Sequence, residues 1–348
     1  MISRRLAREI LIFGRRRQGL QRDHLPARPA RASTIGWWLF PTVCGILTVS
    51  LSLEVAVRTR AAILLFMIIL CIWSGPARGK GFGDLLTSLV HRVPPREATA
   101  MGGSEFARRI SAASGPAREE AMEAQYLSGN LPDFLRQLKP VTLKARLQGG
   151  KAAVATIFVM PDYLAVGSDK DFFLTPMNLK TALDVAATYG FILPTRKMVD
   201  TIFSQSDVHL TPEPMPAGPE MRSTRYYLTH DRTIKAQRRS VGATLAALIS
   251  GHKKDVVLSP RLLRNPERIA IYGWHWPWGA PIQPLSTVHG AAYADYSHGI
   301  RLVSETVLID DEPKSVYTVL EDPALAGLLS DEGVLKGLRG LFARHGAR

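Results

Sequence analysis

Apolar residues along this chain change their spacing twice, and the changes mark its organisation. Two early stretches, residues 32–53 and 61–73, are apolar and free of charge. Beyond residue 100 the spacing becomes helical: residues 106–113 and 117–127 predict helices, the second with Glu119, Glu120 and Glu123 near its start, where the helix dipole favours carboxylates. A short helix is predicted at the PDFLRQL segment from Pro132. Residues 141–147, 152–160, 163–166 and 172–174 then alternate or run apolar with β-branched residues and read as strands.

Further on, Asn178 caps a predicted helix that Gly190 ends, and Pro194 opens another reaching Phe203. Four prolines between residues 211 and 219 forbid regular structure there. Residues 224–240 predict a helix with a basic face, and further strands are predicted at 255–258, 268–272 and 299–308. Residues 314–321 and 323–329 read as terminal helices ahead of a basic tail. The pattern is that of one mixed α+β domain with a strand-rich C-terminal half, its sheet open or barrel-like.

Charge sharpens the picture of the N-terminus. Residues 1–77 hold 11 of the 44 basic and 3 of the 30 acidic residues, which is eight of the fourteen net positive charges. Basic residues ahead of apolar runs are the flank of a membrane-insertion signal and not a stripe on a fold, so nucleic acid is not the expected partner. Arg58 and Arg60, the run 61–73, and Gly75 and Ala77 stand in the order of a signal peptide. The expected organisation is a basic segment 1–56 with a possible transmembrane stretch, a signal peptide or anchor at 57–77, a linker at 78–100 and the α+β domain at 101–348. Translation from Val57, a membrane hairpin and a single uncleaved anchor are the competing accounts of that order, and export is the favoured outcome. Both cysteines, Cys44 and Cys71, precede the domain, which excludes a thiol nucleophile, a Cys-bound zinc and a disulfide within it.

Candidate chemistry gathers late in the chain. His252, His275, His289 and His298 are four of nine histidines, and Trp274, Trp276 and Trp278 are three of six tryptophans. The segment from His289 to Arg301 places two histidines and Asp295 within ten residues, ahead of a glycine and an apolar strand. Three readings compete. In one, His289, Asp295 and His298, with His275, are ligands of a divalent metal such as zinc. Alternatively His298 is a general base held by Asp295 or His289, with Ser297 or water as nucleophile. The plain third reading has these histidines hydrogen-bonded to loop backbone and the tryptophans packing a corner. Trp274, Trp276 and His275 form a possible platform for a sugar ring, Lys254 is a possible clamp for an anionic group, and Tyr296 and Arg301 are expected to line the same site.

The segments LPTRKMVD (193–200), GHKKDVVLS (251–259), IYGWH (271–275), PIQPL (281–285) and YSHGIRLV (296–303) resemble an uncharacterised family of bacterial secreted or membrane-attached proteins. That resemblance implies export and extent, not mechanism. YSHGIRL also resembles the SHGC-plus-Arg signature of L,D-transpeptidases, which carry an upstream His-Gly, here His289-Gly290. Ile300 stands where that family has its nucleophilic cysteine, so thiol-dependent transpeptidation is ruled out while an envelope substrate is not. The function expected is a cell-envelope hydrolase with a His/Asp site for a glycan or peptide, periplasmic or secreted or anchored in the inner membrane, its partners an envelope polymer or small-molecule substrate and the membrane. The alternative is a non-catalytic module that binds envelope polymer through its Trp-rich loop.

Overall fold

In the computed structural model, which describes residues 82–147 and 149–343, helices lead and strands dominate the later part of the chain. The elements in order are α1 (Phe82–Leu89), α2 (Gly103–Arg109), α3 (Gly115–Leu127), β1 (Lys139–Arg146), β2 (Ala152–Val159), β3 (Ala165–Gly167), β4 (Phe172–Leu174), α4 (Leu179–Tyr189), β5 (Phe191–Ile192), α5 (Arg196–Gln205), β6 (Val208–His209) and α6 (Thr224–Ser240). Then come β7 (Ile249–Ser250), β8 (Lys254–Val256), α7 (Pro260–Arg264), β9 (Ile271–His275), β10 (Pro281–Ser286), β11 (His298–Gly299), β12 (Val303–Ile309), β13 (Glu312–Ser315), α8 (Val316–Glu321), α9 (Ala326–Leu329) and α10 (Leu338–Ala343). The class is α+β. The predicted signal and membrane segments lie outside the described residues, among which no helix is long and apolar enough to cross a membrane.

The strands form two principal sheets where one was expected. An antiparallel sheet runs β1-β2-β12-β13, with β5 also on β12, and a mixed sheet runs β10-β9-β8-β11. The reason lies between Gly299 and Val303. Residues 299–308 read as one strand, but the chain leaves the mixed sheet after β11 and enters the antiparallel sheet at β12. At that crossing Arg301 is buried, donating to the carbonyls of Met160 (2.9 Å) and Ile249 (2.5 Å).

Several local predictions hold for the expected reasons. The Asn178 side chain accepts from the Thr181 amide, and Gly190 closes α4 with φ +77°. Elsewhere the structure differs. Thr195, not Pro194, caps α5. The predicted helix at 314–321 begins as β13: Asp310 and Asp311, both at positive φ, make a two-residue hairpin turn between β12 and β13. β10 carries two prolines and so reads as loop, yet it pairs with β9 as an edge strand, the place where a missing N–H is tolerated. The stretch read as linker contains α1.

A buried charge network ties helix to sheet. The buried residues of α6 recur at helical spacing, and they include His230, Asp231 and Arg238. Arg238 forms a short ion pair with Asp162, whose other oxygen lies 3.0 Å from His252 Nε2. Burial opposes ionisation of Asp162, but the His252 contact and the Arg238 guanidinium outweigh it and hold the carboxyl well below its usual range. His252 itself, its pKa lowered by burial, acts as a neutral N–H donor. Next to this pair Tyr163 lies under the Arg301 guanidinium, 4.4 Å from ring centre to Cζ, and donates to Asp255 at 2.9 Å.

Arg238→Met keeps the length of the side chain but leaves Asp162 a buried charge without its cation. The expected cost is about 3–5 kcal/mol, measured by urea unfolding near neutral pH. Because the folded-state pKa of Asp162 is depressed, its contribution is complete above the ordinary carboxyl range and fades as pH falls below it. A variant within about 0.5 kcal/mol of the parent would show that the pair carries no such load.

Candidate functional site

The parallel pairing of β11 with β8 sets His298 opposite Lys254, with the Lys254 amide donating to the Ser297 carbonyl at 2.7 Å. Close approach of three segments dictates glycine at position 299. A Cβ there would meet the Tyr163 ring at 2.6 Å and the Lys253 side chain at 2.7 Å. The turn before β11 is organised by Asp295, whose Oδ1 accepts from the Ser297 amide (2.8 Å) and hydroxyl (2.5 Å) and whose Oδ2 accepts from Tyr293 (3.1 Å). The Asp295 carbonyl accepts from the His298 amide at 3.1 Å.

His298 is fully buried, and neither ring nitrogen makes an aligned hydrogen bond; the Met177 backbone only weakly favours its protonated form. Burial pushes its pKa down to about 4, so the imidazole is neutral near neutral pH. Burial also opposes ionisation of Asp295, yet His298, Lys254 and the two Ser297 donors prevail and keep the carboxyl below its ordinary value. The half-buried Lys254 has its own pKa lowered by desolvation. Tyr293, itself half-buried, lies edge-on to the imidazole at 5.7 Å, with the half-buried His289 stacked on its ring at 3.9 Å and Arg222 5.6 Å from its ring centre.

A second wall is aromatic. Lys254 Nζ lies 5.1 Å from the centre of the Trp274 ring, and Trp274 meets both His230 and Tyr296 edge-on at 6.2 Å. Trp274 has φ +57°, a left-handed conformation that a bulky side chain rarely adopts, and its buried Nε1 has no partner. His230 is likewise buried with both ring nitrogens unpartnered, and burial depresses its pKa well below the usual imidazole value. Tyr296 meets His230 edge-on at 4.9 Å, and its hydroxyl accepts from the Met215 amide at 2.7 Å.

The structure therefore brings together His298, Asp295, Lys254, Trp274 and Tyr296, with His289 at the rim behind Tyr293. It sets three predicted residues apart. Arg301 is taken up by the backbone carbonyls of the sheet crossing and stacks on Tyr163, so it neither pairs with Asp295 nor meets the rim. His275 points instead to Asp200, which it contacts at 3.0 Å while stacking on Phe203 at 4.7 Å. Trp276 stacks on Trp278 (5.0 Å, 7°) at the tip of the β9–β10 hairpin, where Trp278 is 73% exposed. Ile300, at the position of the transpeptidase cysteine, is core.

Among the described residues no three His, Cys, Asp or Glu side chains come together as a group able to hold a metal. His289 is stacked on Tyr293, and the oxygens of Asp295 are engaged by three protein donors. A cleft of about 600 Å³ opens nearby, lined by Glu119, Lys180, Arg222, Gly290 and Ala291 among others, but none of the predicted site residues lines it. Sequence reasoning missed Tyr293 and His230. Tyr293 lies inside the segment singled out, while the signal for His230 was its place on the buried period of a helix read chiefly for its basic face. Comparison with protein-family models, with curated proteins and with solved structures gives no match.

A depressed imidazole pKa makes acid stability a readout of His298. Its contribution is complete above the ordinary imidazole value of 6.5 and is lost as pH falls toward 4. His298→Leu fills the apolar surroundings without the titrating ring, and should flatten the stability curve over that interval by up to one proton, about 1.4 kcal/mol per pH unit. Parent and variant curves of equal slope between pH 6.5 and 4 would mean that His298 titrates as a solvated imidazole.

Proposed function

We propose that the domain is a cell-envelope hydrolase in which His298 is the general base, acting on a glycan or peptide polymer after export or at the membrane surface. The observation that carries this reading is a fully buried imidazole coupled electrostatically to both the Asp295 carboxylate and the Lys254 ammonium. In this scheme movement of Tyr293 admits substrate and a water. His298, neutral at working pH, takes the proton of the attacking water, and Asp295 stabilises the imidazolium that forms. For an amide bond Lys254 offsets the negative charge that develops on the attacked carbonyl oxygen, and the proton on His298 then passes to the leaving amine. No metal takes part in this scheme.

One observation favours a second reading. The stacked pair of half-buried Trp276 and exposed Trp278 at a hairpin tip presents the kind of flat apolar face on which sugar rings stack, and would make the domain a polymer-binding module without chemistry.

The two readings separate in one experiment, in which full-length protein is incubated with purified, labelled cell-wall sacculi and soluble fragments and retained protein are measured. Hydrolysis predicts that His298→Leu and Asp295→Asn release fragments about 10²–10⁴-fold more slowly while retention is kept. The binding module predicts no release by the parent, and loss of retention in the Trp276→Ala, Trp278→Ala double variant. Fragment release unchanged in His298→Leu would end the hydrolase reading.

A further inference from the structure

A basic groove on the face carrying the middle of α6 is unconnected with the chemistry above. A cleft of about 480 Å³ is lined by Lys170, Phe172, Lys235, Arg238 and Arg239. It adjoins a second cleft of about 410 Å³, which shares Phe172 and Lys235 and adds Arg108 and Arg232. Two acids also line these clefts, and the protein itself engages both. Asp171 accepts from the amide and hydroxyl of Ser104 at the start of α2. Asp231 pairs with Lys235 at 2.7 Å and accepts from the Leu174 amide at 3.0 Å. Lys170, Arg108, Arg232 and Arg239 are exposed.

Arg238 gives the groove more than surface charge. It is buried, lies within 6 Å of the ring centres of Phe134 and Phe172, and is anchored through Nη1 to Asp162. Its Nη2 is buried with no hydrogen-bond partner. A guanidinium anchored by Asp162 at the wall of a concave cleft, with Lys170, Lys235 and Arg239 around the same cleft, makes a fixed positive environment for an anion with several acceptor oxygens. The small, concave shape suits a single phosphoryl or pyrophosphoryl group better than a long duplex or a flat surface.

We infer that the groove of Lys170, Lys235, Arg238 and Arg239 is a binding site for a phosphate ester, supplied by a soluble phosphorylated molecule or by a lipid headgroup. Guanidinium and ammonium donors hold the phosphoryl oxygens while Phe172 forms the floor. Occupancy adds an anion beside Arg238 and so bears on the Asp162 network from outside.

The test titrates full-length protein in zwitterionic micelles with inorganic pyrophosphate, followed by calorimetry. Binding that weakens with added salt, and falls about tenfold or more in Arg239→Ala and in Lys170→Ala but not in Lys144→Ala on β1, is the expected result. Competition by phosphatidylglycerol doped into the micelles, without competition by phosphatidylcholine, identifies a headgroup as the source. Pyrophosphate binding indifferent to doping identifies a soluble ester. Absence of pyrophosphate binding, or equal affinity in all three variants, overturns the inference. So does a single-stranded oligonucleotide that binds more tightly than pyrophosphate and is lost in the same variants, since the groove is then a nucleic-acid surface.

Discussion

Asp162 is a carboxylate in the interior of the domain, and much of the architecture can be understood as a means of keeping it charged there. A lone ion in such a place would be neutralised or would unfold the protein. Here it is answered from two directions: by Arg238, from a helix seventy-six residues later in the chain, and by His252, from the loop leading into β8. Both partners are needed, because removing either leaves the buried charge undercompensated. The loop that His252 ends continues directly into Lys253 and Lys254. Anchoring His252 therefore also sets where β8 begins, and β8 in turn is the strand on which His298 is registered. A structural requirement of the core thus reaches the candidate site through two residues of backbone.

The histidines of this interior divide by how they are satisfied. His252 donates to Asp162 and His275 meets Asp200, each on an acid that fixes its ring. His230 and His298 have no aligned partner, and His230 lies edge-on to Trp274, the bulky residue held at positive φ. Buried imidazoles without aligned hydrogen bonds and a strained backbone each cost stability. Their clustering about Lys254, Asp295 and Tyr296 is what distinguishes this corner from the rest of the core. Lys253 belongs to the same environment: fully buried, with its pKa lowered to about 8 by desolvation, it donates to the Tyr296 carbonyl at 2.6 Å and so fixes the residue whose ring meets His230 edge-on at 4.9 Å.

Most of the local structure could be read from residue order alone, because caps, glycine stops and alternation are decided by neighbours. Asn178 and Gly190 bound α4, prolines keep 211–218 irregular, and alternation marks β1 and β2. The segment carrying the candidate site was legible for the same reason: two histidines, an aspartate and a glycine within a few positions stay close in any fold. Both cysteines precede the domain, so the absence of thiol chemistry within it also needs no structure. Residue order could not decide the features set by partners distant in sequence. Arg301, beside the His-Gly turn, was assigned to the site, but the crossing between two sheets offered it the carbonyls of Met160 and Ile249 instead. Trp274 and Trp276 are two positions apart in one aromatic run, yet one is buried over Lys254 and the other stacks at an exposed hairpin tip. β10 was hidden by its prolines because only its place at a sheet edge makes them tolerable. The sequence of α6 showed a helix with a basic face, but not that its buried face carries the guanidinium that Asp162 requires. Short-range preferences are written in adjacent residues, but burial and charge pairing are settled only when segments far apart in the chain compete for the same interior space.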